Sequence, residues 1–416
     1  MICGGRPLRS PRFETPINII LVKILVANIG STSLKYRLFD FSDNREQMLT
    51  RGGYERVTDY ASTIDTCLAD LKSGGFIKDE SDLAAVGFKT IMARGVNGCV
   101  RLDENVLKAM EAFNLIAPAH NPPYILGIRL FAKRMPKIPL IALFETAFYQ
   151  WVPEAGMRYA VPETWREAGV RRWGFHGASQ KYISERSAEL LGRNDVAQRV
   201  RDLYVNGGKT PVQTPNLRVV SCHLGGSSSV TGILNGVAIG TSMGMSPQSG
   251  LPQNNRVGDL DSVALPFILR KTGISLEEAE RLLTKESGLK GLSGGLNDIR
   301  DIDAQAKQGN AKAQMALDVL VHSARHWFGS FYLQLNGLDA ISFTAGIGEN
   351  QASIRAAICG NLDQLGIKLD PELNEKTRAK EAFINAPDSR VKVMVIPTNE
   401  ELVVAREARR YLLNNK

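Results

Sequence analysis

The chain runs to 416 residues, 44% hydrophobic and 23% charged, with 51 Lys and Arg against 43 Asp and Glu. At roughly 100 to 200 residues per domain this length predicts two or three domains, and the composition excludes a disordered or fibrous chain. The longest apolar stretch, Ile17 to Ala27, is broken by Asn18 and Lys23 and falls short of the ~20 residues a membrane helix needs.

From the N-terminus, Arg6, Arg9, Arg12 and Lys23 stand against a single acid, Glu14, so much of the positive excess is a tail. The remaining basic residues form no stripe with interleaved aromatics, which argues against nucleic acid as partner and leaves a small anionic substrate open. The apolar run behind these arginines imitates a secretion signal, but it continues through Lys23 as a strand entering a glycine turn, Ile24-Leu-Val-Ala-Asn28-Ile-Gly30. Residues 1–21 are therefore expected to be a disordered arm or an upstream mis-assigned start. Ser31-Thr-Ser33 and a second strand, Leu34 to Phe39, complete a hairpin.

His120 and His176 then occur in small, turn-like sequence, Ala117-Pro-Ala-His120-Asn-Pro-Pro123 and Gly174-Phe-His176-Gly-Ala-Ser179. The polar stretch Asn194 to Asn216, with Gly207, Gly208, Pro211 and Pro215, is expected to be a surface insertion. A second hairpin follows: Arg218 to Gly225, the tip Ser227-Ser-Ser229, and a return strand Val230 to Leu234, with His223 at the turn. Ser275 and Glu278 make a capping box for a helix over Leu276 to Leu283. The apolar positions Ala313, Leu317, Leu320, Val321, Ala324, Phe328 and Phe331 predict a helix over Asn310 to Asn336, ended by Gly337. A third strand, from Ala340, runs into Gly346-Ile-Gly-Glu-Asn350. Two halves that each begin with a hairpin and continue with alternating strands and helices predict an α/β protein with a cleft between two domains.

Glycine and hydroxyl turns let backbone N–H groups converge on an anion, because missing side chains allow a phosphate to approach the main chain. Two such turns and a third glycine segment in one chain are hard to read as ordinary turns. His322 and His326 sit in the long periodic helix and read as packing residues, whereas His120, His176 and His223 suggest a site. Their spacing fits no zinc pattern. Cys3, Cys67, Cys99, Cys222 and Cys359 are odd in number and without CxxC spacing, so no disulfide framework is expected and the compartment reads as reducing.

In order and spacing, the chain from residue 23 to about 410 closely resembles the acetate kinase family of short-chain carboxylate kinases, within the sugar kinase, heat-shock ATPase and actin superfamily. The resemblance rests on NxGSxSxK at Asn28 to Lys35, APxHNP at Ala117 to Pro122, FETAF at Phe144 to Phe148, RRWGFHGAS at Arg171 to Ser179, HLGGSSS from His223, TSMGMSP at Thr241 to Pro247, RVGDLD at Arg256 to Asp261, GLNDIRD at Gly295 to Asp301, GIGEN from Gly346, and PTNEEL at Pro397 to Leu402. It implies a two-domain ATPase fold with a duplicated βββαβαβα core (actin-like, ribonuclease H-like). The N-terminal domain would take residues 22–150 plus 398–416, and the C-terminal nucleotide-binding domain 151–397. The implied reaction is reversible phosphoryl transfer from ATP to acetate or propionate, with Mg²⁺, in a cytoplasmic homodimer. Two other readings compete: a nucleotide-binding module whose acyl site has decayed, and a kinase for a different acceptor.

By the same resemblance, Glu145, His176 and Arg256 are the catalytic candidates, and Asn28 and Glu400 would hold Mg²⁺. Lys35, His223, Leu224, Gly225, Gly226, Ser227, Asp298, Ile299 and Arg300 match phosphate or nucleotide contacts. Gly346, Ile347, Gly348, Glu349 and Asn350 match the adenosine pocket. Lys89, Ile91, Ala119, His120, Phe175 and Pro247 match the substrate side.

Several positions depart from the family pattern. Lys89 stands where the family has Arg, replacing a planar fork by a point charge, with Arg94 as a nearby replacement; Glu145 stands for Asp, Tyr149 for His, and Pro252-Gln253-Asn254-Asn255 for Met-Met-Gly-Thr. Ala119 in place of Leu and Ile91 in place of Val predict net room in the acyl pocket, and hence a preference for propionate or butyrate over acetate. Phe88 or Met92 could fill that room instead.

Overall fold

The computed structural model describes residues 22–42, 45–117 and 121–415. The predicted arm over residues 1–21, and the substrate candidates Ala119 and His120, lie outside them. Two six-stranded sheets organise the chain. The first contains β1 (Lys23–Ile29), β2 (Ser33–Asp40), β3 (Gln47–Glu55), β4 (Leu83–Thr90), β5 (Cys99–Arg101) and β6 (Leu140–Phe144), in the order β3-β2-β1-β4-β6-β5. The second contains β7 (Arg218–His223), β8 (Ser229–Leu234), β9 (Val237–Thr241), β10 (Ala340–Thr344), β11 (Ala382–Phe383) and β12 (Lys392–Val395), in the order β11-β12-β10-β7-β8-β9.

Each sheet has an antiparallel meander (β1-β2-β3, β7-β8-β9) whose first strand pairs in parallel with the next crossover strand, β4 or β10. The predicted duplication is thus present in the strand order itself, and both predicted hairpins form. At the third glycine segment the chain does not turn back. Ala345 takes a left-handed φ of 63° and opens a short helix, Ala345–Asn350.

The parallel strands are covered on both faces, which explains their near-continuous apolar sequence. In β4, Val86 and Phe88 face one core, Phe88 edge-on to Phe131 at 5.4 Å, while Ala85 faces a second core built with the C-terminal helix Glu400–Asn414. Gly87 shares that second face, and a Cβ there would come within 2.9 Å of Val404. Glycine therefore lets the C-terminal helix lie close on the sheet, two residues from Lys89 on the same face.

The long helix spans Ala311–Gln334, with the Asn310 side chain accepting from the amides of Lys312 and Ala313, as an N-cap should. Ser275 likewise caps the helix Leu276–Arg281 through the Glu278 amide at 3.2 Å. The polar stretch after Asn194 is more ordered than a surface insertion. Its first part forms the helix Asn194–Arg201, whose Val196, Ala197 and Val200 are buried, followed by buried Leu203. Those apolar residues share one helical face, a short period hidden among charged neighbours.

Among the described residues, no helix is long and apolar enough to cross a membrane. Cys67, Cys99, Cys222 and Cys359 are free thiols.

Candidate active site

Three parallel strands deliver side chains to one point. The pairings Ala27↔Phe88 and Thr90↔Phe144 bring the carboxyl ends of β1, β4 and β6 level, and just there stand Asn28, Lys89 and Glu145. Carboxyl ends of parallel strands are the usual ligand edge of α/β sheets. They open into a cavity of about 240 Å³ whose walls also include Ile91, Tyr124, Phe175, His176, Ser227, Pro247 and Arg256. Asn28, Glu145, His176 and Arg256 thus meet around one space, although 228 residues separate the first from the last.

Lys89 is held by carboxylates from two directions. Its Nζ donates to Glu400 Oε2 and lies 3.6 Å from Glu145 Oε1, too far for a hydrogen bond. Both carboxylate oxygens of Glu145 are buried, without a hydrogen-bond partner among the described residues. Burial first of all, with the Glu400 charge adding and Lys89 opposing, pushes the Glu145 carboxyl up to about 7. Burial also disfavours charge on Lys89, but Glu400 and Glu145 outweigh it and hold its ammonium well above the ordinary lysine range. Arg94, the other candidate for the acid, is exposed, and its backbone amide donates to Ala109 O at 2.8 Å. Phe88 points into the opposite core, and Met92 packs with Phe113, Ala117 and Met243 beside Ile91 and Phe175.

His176 precedes the helix Gly177–Leu190 in a left-handed conformation, φ 66°, which costs a non-glycine residue about 1–3 kcal/mol. The next position must be glycine, since a Cβ on Gly177 would sit 2.3 Å from the Glu145 carbonyl oxygen; the Gly177 amide donates to that same oxygen at 2.9 Å. This contact fixes His176 beside Glu145. Its ring stacks on His223 with centroids 4.0 Å apart. His176 Nδ1 bonds Ser229 Oγ and His223 Nδ1 bonds Ser179 Oγ, both at 2.9 Å. Burial, then the neighbouring His223, drives the His176 pKa well below 6.5; burial takes His223 down to about 4.

A pH test follows from these signs. The histidines bind fewer protons folded than unfolded, so their contribution to stability is complete above pH 6.5 and is lost as pH falls toward 4. Glu145 acts oppositely: its contribution is present below pH 4.5 and lost as pH rises through about 7. Thermal melting from pH 7 to 4.5 should therefore lose stability more steeply in Glu145→Gln than in the parent, and less steeply in His223→Asn. Parallel slopes in all three would refute the assignment.

The second glycine loop is built against the third. Leu224 N donates to Thr344 O at 3.0 Å, and Leu224 O accepts from the amides of Ile347 and Gly348 at 2.8 and 2.9 Å. His223, Leu224, Gly225, Gly226 and Ser227 thus lie beside Gly346 to Asn350. Behind the latter, the fully buried Arg355 donates to Gly348 O at 2.9 Å, to Asn374 O and to Thr377 O. Glu349 Oε1 accepts from the Thr398 amide at 3.3 Å. Asp298 caps the helix Ile299–Lys307 and pairs with Arg300, whose side chain is 78% exposed. Lys35 is not in the 240 Å³ cavity: it pairs with Glu55 at 3.1 Å and lines a separate space with Arg37 and Arg51, sharing only Asn28 with the first.

Three participants were missed by the sequence reading. Tyr124 donates its hydroxyl to Asn28 Oδ1, and Ser229 orients His176. Gln253, fully buried, accepts from the Ser228 amide and returns a bond to Ser228 O at 3.2 Å. The segment that departs most from the family pattern therefore braces the glycine loop. Proximity to APxHNP and to the departure itself were the available signals.

Among the described residues no group of three His, Cys, Asp or Glu side chains is placed to hold a metal ion. The oxygens present are the Asn28 amide and the carboxylates of Glu145 and Glu400. A hard cation that keeps most of its waters needs only one or two carboxylates from protein, and the unpaired Glu145 oxygens suit such an ion.

The acetokinase family profile matches residues 53–406. The acetate kinase of Halalkalibacterium halodurans is 38% identical over 407 residues, covering 92% of this chain and 98% of that protein. The acetate kinase of Geobacillus kaustophilus is 37% identical over 414 residues, covering 94% and 99%. Among solved structures, the acetate kinase of Porphyromonas gingivalis is similar with a TM-score of 0.82 and 31% identity, covering 94% of this chain and 100% of that one. A propionate kinase from Francisella tularensis gives 0.80 and 30%, covering 93% and 99%.

Proposed function

This chain belongs to the acetokinase family, and on that premise we propose how its cavity performs phosphoryl transfer to a carboxyl group. It is a carboxylate kinase with the actin-like ATPase architecture, using ATP and a short-chain acid. The observation that carries the assignment of roles is the convergence of Lys89, Glu145, His176 and Arg256 on one 240 Å³ cavity whose remaining wall, Ile91, Phe175 and Pro247, is apolar. A carboxylate oxygen of the acid forms a bond to the γ-phosphorus while the bond to the β,γ-bridging oxygen breaks, leaving ADP. Such a transfer needs little covalent help but does need donors and positive charge around the in-line phosphoryl group.

Arg256 supplies the charge. His176 stays neutral; in the tautomer in which Nδ1 accepts from Ser229, Nε2 carries the proton and can donate to a phosphoryl oxygen. The glycine loop from His223 to Ser227, with Lys35, is assigned to the phosphates. Asp298 to Arg300 and Gly346 to Asn350 are assigned to the nucleoside. Asn28, Glu145 and Glu400 would hold Mg²⁺, which when bound neutralises the phosphate oxygens. A domain division at residues 150 and 397 is supported by the two separate sheets. A homodimer is supported by Val263 and Phe267, 66% and 61% exposed on and beside the helix Ala264–Thr272, which has no buried residue. A cytoplasmic location is supported by the free thiols.

Coupled assays with acetate, propionate and butyrate, each with ATP and Mg²⁺, test the reading; no turnover of any of them would overturn it. We expect propionate or butyrate to exceed acetate in kcat/KM. One methylene in an apolar pocket changes discrimination roughly 10- to 200-fold, so Ala119→Leu should lower the propionate-to-acetate ratio by about tenfold. An unchanged ratio would show that the pocket is not enlarged there.

A further inference from the structure

Of the two cations that line the cavity, Lys89 and Arg256, the first is already engaged. Lys89 lines the cavity, yet its ammonium is spent on Glu400 and lies 3.6 Å from Glu145. The three side chains are only 21%, 16% and 4% exposed for Lys89, Glu400 and Glu145 respectively, and together carry one net negative charge when the carboxyls are ionised. A carboxylate entering beside them meets that negative charge rather than a free ammonium. Lysine, unlike arginine, cannot divide a planar fork between two anions; its compact charge sits on a flexible four-carbon stem that can swing.

Resting on the function proposed above, we propose that Lys89 is a hand-over cation: it stays with Glu400, beside Glu145, until a divalent cation arrives with the nucleotide, and only then turns to the substrate carboxylate. The carboxylates that hold Lys89 are two of the oxygen donors suited to that cation, so the two positive charges compete for one pair of anions. Binding of the metal nucleotide and of the acid are therefore coupled, and coupling is reciprocal: each tightens the other by the same factor. No bond is made or broken in the hand-over. The asymmetry belongs to this chain, because the fork of an arginine at position 89 would touch a carboxylate of the protein and one of the substrate together.

The test is calorimetric titration of propionate into the full chain at saturating AMP-PNP, with Mg²⁺ present or removed by EDTA. We expect propionate to bind about tenfold more tightly with Mg²⁺, within the range usual for coupled sites. Lys89→Met should bind propionate weakly and equally in both conditions. Lys89→Arg, which keeps the charge and serves if the Met variant does not fold, should reduce the Mg²⁺ gain to less than threefold. Equal affinity with and without Mg²⁺ in the parent, or an undiminished Mg²⁺ gain in either variant, overturns the hand-over and leaves the carboxylate kinase reading intact. Absence of propionate binding in every condition, together with turnover of another acid, overturns the assignment of the acid and the hand-over with it.

Discussion

Arg256→Ala is expected to lower kcat by about 10² to 10³, the effect usual for removing one donor to a transition state, without lowering the melting temperature. Two observations separate this from a structural effect. Among the described residues Arg256 makes one hydrogen bond from its guanidinium, Nη1 to Pro247 O at 3.0 Å, and no carboxylate pairs with it. Burial alone pulls its pKa down. A partly buried cation without a counter-charge is a liability for stability, so its removal relieves the fold while depriving the cavity of charge. Steady-state kinetics and a thermal melt on the same variant decide the matter. A loss of stability with near-normal turnover would make Arg256 a loop anchor.

Much of this site was legible before any coordinates. The glycine and hydroxyl tips, His176 in its turn-like sequence and the spacing of the motifs pointed to segments that meet at the cavity, because short-range turn chemistry is written in adjacent residues. Partnerships across the chain were not. Lys89 and Glu400 are 311 residues apart, and nothing local to either announces the other. The same holds for Tyr124 on Asn28 and for Gln253 on Ser228. The helix after Asn194 was missed for a different reason. Its apolar face is only three residues, Val196, Ala197 and Val200, in a segment rich in charge, so polarity outweighed period.

The largest effect on stability is expected at Lys181 and Glu407, just outside the motifs. The helix Gly177–Leu190 follows His176 and the C-terminal helix begins with Glu400, so the packing of these two helices sets the distance between two site residues. Their contact contains an ion pair, Lys181 Nζ to Glu407 Oε1 at 3.1 Å, with both side chains only 2% exposed. Lys181 also donates to Val200 O at 2.6 Å and lies 5.2 Å from the centre of the Tyr204 ring; Arg410 donates to the same Glu407 oxygen, Oε1. Burial is the main influence on Lys181, and it lowers the pKa despite Glu407. Glu407→Gln would remove the one carboxylate, among the described residues, in direct contact with the buried Lys181 ammonium and should cost about 3–5 kcal/mol, a large share of the roughly 5–15 kcal/mol that holds a native fold together. Urea unfolding at pH 7 measures this. Because an apolar pair of similar volume often matches or exceeds a buried ion pair, the double variant Lys181→Met, Glu407→Leu should recover most of the loss. If the double variant is as unstable as the sum of its single variants, the charges do not act as a pair, and the helix contact is held by Ala178, Val404 and Ala408 packing instead.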